Sequence, residues 1–102
     1  MHRVHQSLAA LLLLTASAWA SAQATDPLQA RSLAASCASC HGTDGRAQAG
    51  MVSLAGIPQD VLVKKMLDYK TGRIPATIMH QLAKGYSDEQ ITAIAAYFAA
   101  KK

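Results

Sequence analysis

The chain has 102 residues, with 10 Lys and Arg against 6 Asp and Glu, and half of its residues are hydrophobic. This length allows one small domain, which can build only a modest core of its own. The net charge of +4 comes without a basic run or interleaved aromatic residues, so we expect no nucleic-acid partner.

The first 22 residues are typical of a secretory signal. A short, weakly basic start precedes an apolar run over residues 8–20, which is too short to span a bilayer comfortably. Small residues around Ala20 and Ala22 fit a cleavage site. We therefore expect export to the periplasm and a mature domain at 23–102 without stable membrane insertion; an uncleaved anchor is the alternative.

A first helix is predicted at the start of the mature domain. Asp26 is placed to cap it, and Pro27 suits its first position, where a missing amide hydrogen costs nothing. Leu28, Leu33 and several alanines continue the helix, which delivers Cys37 at its end.

The next segment, Cys37-Ala38-Ser39-Cys40-His41, carries the main chemical signal. Two thiols three positions apart, followed directly by an imidazole, have the spacing used for covalent attachment of a c-type haem. In this interpretation Cys37 and Cys40 bond to the two vinyl groups, and His41 is the proximal ligand of the iron. The sequence thus predicts one covalently bound haem c, which would supply much of the core that a small domain lacks.

Other uses of a Cys-x-x-Cys pair are a thioredoxin-like redox couple, half of a zinc site or a structural disulfide. A redox couple needs a preceding strand, and a zinc site needs further soft ligands, for which the mature chain offers only His80. A structural disulfide would not explain why His41 directly follows the second cysteine. An exported dithiol enzyme or metal-binding module remains the alternative from a different functional class.

The rest of the chain predicts further helices and connections. Residues 42–50 are a Gly-rich loop, and 51–56 an apolar strip laid along the haem. A helix runs from about Pro58 to Lys70, and Gly72 stops it. Its buried stripe is Leu62, Met66 and Tyr69, and an ion pair joins Asp60 to Lys64.

The C-terminal third begins with a long connection over 73–86, which holds one helical turn at about 78–82. Ser87 and Gln90 then form a capping box that opens a strongly amphipathic last helix. This helix packs across the first one. The residues on its buried face are Ile91, Ile94, Ala95 and Phe98. The fold class predicted is all-α.

With these elements in order, the mature chain resembles the class I c-type cytochromes along nearly its whole length. Residues 76–91, Ala-Thr-Ile-Met-His-Gln-Leu-Ala-Lys-Gly-Tyr-Ser-Asp-Glu-Gln-Ile, look like the distal-ligand segment of the cytochrome subunits of flavocytochrome c sulfide dehydrogenases. The resemblance implies helices packed around one haem, and Met79 as the sixth ligand of the iron.

The choice of Met79 also has support from the chain itself. Met51 is only a loop away from His41, and Met66 lies on the buried stripe of a helix, where Met is usually a core residue. His80 is the rival ligand, although we expect an exposed imidazole there. With both axial positions filled by protein, the chain alone is expected to be an electron carrier rather than an enzyme.

The sequence departs from the family pattern at two places. Val52 stands where relatives commonly have Pro, and the carbonyl at this position accepts a hydrogen bond from the proximal imidazole. The sole Trp, Trp19, lies in the predicted signal, so no indole remains to hold a haem propionate. Tyr69 and Arg73 are the substitutes we name for that contact.

Two functions follow from the resemblance. In the first, the chain is the haem subunit of a flavocytochrome that oxidises sulfide on a separate flavoprotein dehydrogenase subunit. In the second, it is a free shuttle between other periplasmic redox proteins, a dehydrogenase and a terminal oxidase. The first is favoured because apolar residues of 51–57 and 74–82, rather than charges, are expected to frame the haem edge.

Overall fold

The computed structural model describes residues 26–102, and this part of the chain contains helices, turns and irregular segments but no strand. The predicted all-α class is confirmed. The predicted signal at 1–22 lies outside the described residues. The helices are α1 (Pro27–Ala35), α2 (Ala38–His41), α3 (Gln59–Lys70), α4 (Met79–Lys84) and α5 (Asp88–Ala99), with a single 3-10 turn at Thr43–Gly45.

Helix α1 starts as predicted. Asp26 accepts a hydrogen bond from the backbone N–H of Leu28 at 3.1 Å, and Pro27 is the first helical residue. The buried face consists of Ala30 and Ala34, whose small side chains let α5 approach closely. Leu28 is 69% exposed and contributes little to the core.

Helix α5 is the most buried element of the described chain, and its predicted inner face is confirmed. Ile91, Ile94, Ala95 and Phe98 are all buried, and α5 packs against both α1 and α3. The predicted capping box is also present. The Gln90 backbone N–H donates to the Ser87 hydroxyl at 3.1 Å, and the Ser87 N–H donates to the Gln90 side chain at 2.9 Å.

Helix α3 ends in a Schellman motif at the predicted glycine. The N–H of Gly72 donates to the Tyr69 carbonyl, and the N–H of Arg73 donates to the Asp68 carbonyl, while Gly72 has φ +75°. Leu62 on the predicted stripe is buried, and Met66 and Tyr69 are half-buried.

The predicted ion pair between Asp60 and Lys64 is wrong. Lys64 Nζ instead lies 2.7 Å from Asp68 Oδ2, one turn further along. The Asp68 side chain is mostly buried and also has Arg73 at 3.6 Å, so it offers a less hydrated partner. Asp60 stays in the first turn, where a carboxylate complements the helix dipole.

The connection between α3 and α5 has more structure than predicted. It holds the six-residue helix α4, which packs against α3 and fully buries Ala83. A helix this short is not stable alone, so tertiary packing rather than local sequence sets its length.

The strip after the Gly-rich loop is irregular and turns at 55–56. It is tied down by the Leu54 N–H, which donates to the Gly45 carbonyl, and by the Gly56 N–H, which donates to the Phe98 carbonyl. Gly45 has φ +78°, and a Cβ there would lie 2.8 Å from both Ala55 N and Phe98 Cδ1. Close packing of the strip on α5 therefore requires glycine at this position.

Over residues 26–102, every helix falls short of the length and apolar character needed to cross a membrane.

Candidate haem-binding site

One helical turn positions the two thiols and the imidazole. Cys37 precedes α2, and its carbonyl accepts hydrogen bonds from the backbone N–H groups of Cys40 and His41. The Cys37 N–H donates to the Ala34 carbonyl at 3.0 Å, which fixes the turn to the end of α1. Both cysteines are free thiols, Cys37 half-buried and Cys40 exposed. The pair is thus available for two separate covalent bonds.

The electrostatic environment of Cys37 bears on the alternative readings of the pair. Burial raises the pKa of the Cys37 thiol above its ordinary value of 9.0, and the nearby Cys40 adds to the rise, while the Ser36 hydroxyl, 4.0 Å from the thiol sulfur, opposes it. Thioredoxin-like enzymes need a lowered thiol pKa, because the thiolate is the nucleophile. The direction of this shift is opposite to the one that a dithiol enzyme needs.

A zinc site is disfavoured by the arrangement of the potential ligands. Within residues 26–102, no three His, Cys, Asp or Glu side chains come close enough together to hold a metal ion among themselves. Structural zinc normally takes four protein ligands. Cys37, Cys40 and His41 thus do not form even three sides of such a site.

His41 has one ring nitrogen engaged by the backbone. Nδ1 lies 2.6 Å from the carbonyl oxygen of Val52, as the family resemblance predicts. A carbonyl only accepts hydrogen bonds, so Nδ1 carries the hydrogen, and in the neutral ring Nε2 keeps a free lone pair. This is the usual arrangement of a metal-binding imidazole, whose other nitrogen donates to a carbonyl.

On the distal side, Met79 is the first residue of α4 and is half-buried. Its neighbour His80 is not exposed, contrary to the prediction. It is half-buried, and its Nε2 lies 2.5 Å from the carbonyl oxygen of Ile74. This hydrogen bond engages Nε2, the ring nitrogen farther from the backbone, and leaves Nδ1 without that contact.

A pair of hydroxyl groups links the attachment segment to the chain just after α4. Ser36 Oγ and the Tyr86 hydroxyl oxygen are 2.5 Å apart, although 50 positions separate them. Ser36 donates its only hydrogen to the Leu33 carbonyl at 2.9 Å, so Tyr86 is the donor to Ser36. Sequence reasoning missed this contact, because neither residue belongs to a recognisable motif.

Large exposed hydrophobic residues concentrate on the two segments predicted to flank the haem. Of the six in the described chain, four lie in 51–57 or 74–82, namely Met51, Val52, Ile78 and Leu82. Exposed apolar side chains concentrated on two segments of a small domain indicate surfaces that something else covers. The thiols, the free Nε2, the thioether and these flanks together fit the chemistry of a haem.

The two proposed propionate partners lie at the C-terminal end of α3. Tyr69 is half-buried, with its ring centroid 6.2 Å from that of His80. The Arg73 side chain is exposed, and its Nε lies 3.6 Å from Asp68 Oδ1. A propionate contact with Arg73 would have to compete with this carboxylate.

Comparison with known proteins identifies the family of this chain. The family profile described as Cytochrome c matches residues 29–100. The cytochrome subunit of sulfide dehydrogenase from Chlorobaculum tepidum is 41% identical over 66 residues, which cover 65% of this chain and 60% of that protein.

Two further relatives match almost the whole chain. Cytochrome c4 from Pseudomonas aeruginosa is 38% identical over 103 residues, covering 100% of this chain and 50% of that protein. A thiosulfate dehydrogenase electron acceptor from Stutzerimonas stutzeri is 36% identical over 104 residues, covering 94% and 47%. The chain spans about half to three fifths of the length of these relatives. It belongs to the cytochrome c family, as a class I c-type cytochrome of the haem-based electron carriers.

Proposed function

We propose that this chain carries single electrons on one haem c, bound through thioethers to Cys37 and Cys40, with His41 Nε2 and Met79 as axial ligands. In this proposal residues 1–22 are removed on export, and the domain at 23–102 works in the periplasm. In this proposal the chain is the haem subunit of a flavocytochrome that oxidises sulfide.

The hydrogen bond between His41 Nδ1 and the Val52 carbonyl carries this proposal. It fixes the tautomer, so that Nε2 is the nitrogen available to iron. Donation of the Nδ1 hydrogen to the carbonyl also makes Nε2 more basic, and hence a stronger ligand. The adjacent free thiols supply the remaining attachment chemistry. Addition of each thiol across a vinyl group forms an S–C bond and moves the thiol hydrogen to the other carbon, so no oxidant is consumed.

The distal ligand determines what the site can do. When bound, the haem supplies an iron that takes up and releases one electron. A thioether at the sixth position raises the reduction potential relative to stronger donors. Met79 at the start of α4, beside a His80 whose Nε2 is already bonded, supports this ligation. Tyr69 and Arg73 complete the proposal as propionate partners.

The surface favours a stable partner over charge-steered encounters. Met51, Val52, Ile78 and Leu82 present exposed apolar side chains, which in this proposal the haem and the partner protein cover together. Two lysines that could form a charged ring are paired with carboxylates instead, Lys64 with Asp68 at 2.7 Å and Lys70 with Asp88 at 2.8 Å. Permanent interfaces are more apolar than transient ones.

The identity of the partner is inferred by similarity. Sulfide yields electrons in pairs, whereas a haem accepts them singly, so a flavin on a separate subunit is the natural intermediary. The name of the Chlorobaculum tepidum relative supports sulfide as the substrate of such an assembly.

The test is purification of the tagged, haem-loaded chain from its native periplasm. We expect a flavoprotein to co-purify with the wild-type chain. Val52→Glu should abolish this association, because it places a charge among the apolar residues while leaving the backbone carbonyl. Leu28→Glu is the matched control, since Leu28 and Val52 are 69% and 65% exposed and α1 lies outside the two flanking segments. If no flavoprotein binds, or if both variants retain it, the subunit proposal is wrong.

The second candidate is a free electron shuttle, favoured by the relative named a thiosulfate dehydrogenase electron acceptor. A shuttle that docks through charge should be reduced by its donor far more slowly at high ionic strength. The measurement is the rate of reduction of the isolated cytochrome at rising salt. A steep loss of rate supports the shuttle, and an unchanged rate contradicts charge-steered docking.

A further inference from the structure

His80 is held on two sides. Its Nε2 lies 2.5 Å from the Ile74 carbonyl oxygen, and because a carbonyl only accepts, Nε2 is the donor. The ring also lies beside Tyr69 of α3, with centroids 6.2 Å apart and planes tilted by 58°. The imidazole therefore joins α4 both to the loop before it and to α3.

The bond closes the loop that presents Met79. Ile74 and His80 bracket the five residues 75–79, so the hydrogen bond ties the two ends of this segment together. Just before the segment, the Schellman motif at Gly72 fixes the end of α3. Just after it, the N–H groups of Gln81 and Leu82 donate to the Ile78 carbonyl and form the first turn of α4.

The start of α4 has no side-chain cap of its own. Ile78 caps α4 without a side-chain hydrogen bond and is 56% exposed. Helix α4 has only six residues, and an isolated helix of that length is not stable. Local opening of such a segment costs little unless a specific contact opposes it.

We propose that His80 is a positioning residue for the distal ligand: its hydrogen bond to Ile74 holds the 74–80 loop closed and slows release of the Met79 thioether from the iron. The proposal deepens the proposed function and rests on ligation by Met79. His80 itself does not touch the haem iron in this account.

The experiment measures how fast cyanide binds to the ferric, haem-loaded protein at saturating cyanide, where opening of the distal loop limits the rate. His80→Ala should raise this rate by roughly two- to twelvefold, the factor expected for one net hydrogen bond. His80→Gln should restore a rate near that of the wild type, because its amide N–H lies as many bonds from Cβ as Nε2 does. Gln81→Ala, an exposed neighbour on α4, is the control and should leave the rate unchanged.

Two results would overturn the positioning role of His80, and one would overturn the ligation by Met79. The proposal is overturned if His80→Ala binds cyanide at the wild-type rate, even with a lowered unfolding midpoint, because the residue is then only structural. It is also overturned if His80→Gln is as fast as His80→Ala. Met79→Ala identifies a failure of the ligation itself: it should be much faster than every other variant, and a wild-type rate there would contradict the proposed function rather than the positioning step.

Discussion

Tyr97 donates its hydroxyl hydrogen to Asp44 Oδ1 at 2.6 Å, which joins α5 directly to the turn that follows the Cys-x-x-Cys-His segment. Lys101 reinforces the contact, with its Nζ 3.6 Å from the same oxygen and 4.2 Å from the centre of the Tyr97 ring. Asp44 has φ +55°, a conformation that side-chain hydrogen bonding helps an aspartate to adopt. The C-terminal helix thus holds the turn after the Cys-x-x-Cys-His segment in place.

This contact predicts a pH dependence of stability. The Tyr97 hydrogen bond, helped by the Lys101 charge, lowers the pKa of Asp44 below its ordinary value of 3.8. A group whose pKa is lowered in the folded state stabilises it fully above the unfolded-state pKa, and this contribution is lost as the pH falls through the folded-state value. Asp44→Asn should therefore be less stable than wild type above about pH 4, with the difference shrinking in more acidic solution.

The measurement is the thermal unfolding midpoint of the haem-loaded wild type and of the variant, from neutral pH down to acidic pH. Asp60→Asn, at an exposed carboxylate of α3, serves as the control and should change the midpoint less than Asp44→Asn, because it removes only a carboxylate's interaction with the helix dipole. A difference for Asp44→Asn that stays constant with pH would contradict the role assigned to its charge.

We expect substitution of Gly45 to cost more unfolding free energy than substitution of Gly72, a glycine of similar positive φ. In Gly45→Ala, the new Cβ would meet Ala55 N and Phe98 Cδ1 at 2.8 Å in addition to the strain of positive φ. Gly72→Ala is the matched control, because Gly72 has φ +75° and open space around it. We expect the control to lose about 1 kcal/mol of unfolding free energy and Gly45→Ala about 2–4 kcal/mol, by denaturant titration. Equal losses would show that the strip does not pack against Phe98 as described.

Substitution of Met79 should change the properties of the iron rather than the stability of the fold. Met79→Ala should lower the reduction potential and give a ferric spectrum with an open or water-filled sixth position, because the thioether that favours ferrous iron is gone. Met66→Ala makes the same substitution at a half-buried Met of α3 and should cost about 2 kcal/mol of stability while leaving the potential nearly unchanged. Potentiometric titration of both variants distinguishes the two roles. If only Met66→Ala shifts the potential, the iron ligand is Met66 and the assignment to Met79 is wrong.

Local signals in the sequence predicted the ends of the helices well. The cap at Asp26, the capping box at Ser87 and the stop at Gly72 are each set by residues within a few positions of one another. Contacts between distant residues were not predictable in this way. One such contact is the hydrogen bond between Ser36 and Tyr86, and another is the ion pair of Lys64 with Asp68. Both depend on which side chains the fold brings together and on how buried each side chain becomes.

The same distinction applies within the candidate site. The Cys-x-x-Cys-His spacing is a local pattern, and the family resemblance supplied the Val52 carbonyl as partner of His41. The burial of His80 was missed because its partner, the Ile74 carbonyl, is a backbone group that any residue could provide. Helix α4 extends two residues beyond the predicted turn for a related reason, since its packing against α3 is a contact between elements distant in sequence.

The most direct test of covalent haem attachment is the intact mass of the protein under denaturing conditions, after expression in a periplasm that attaches haem. The account predicts a chain carrying the added mass of one haem, which acid and organic solvent do not remove. Cys37→Ser and Cys40→Ser should each sharply reduce the yield of this species, since a small domain without its cofactor has little core to fold around. A wild-type chain with the mass of the polypeptide alone, or a double Ser variant that keeps its haem after denaturation, would contradict the central claim.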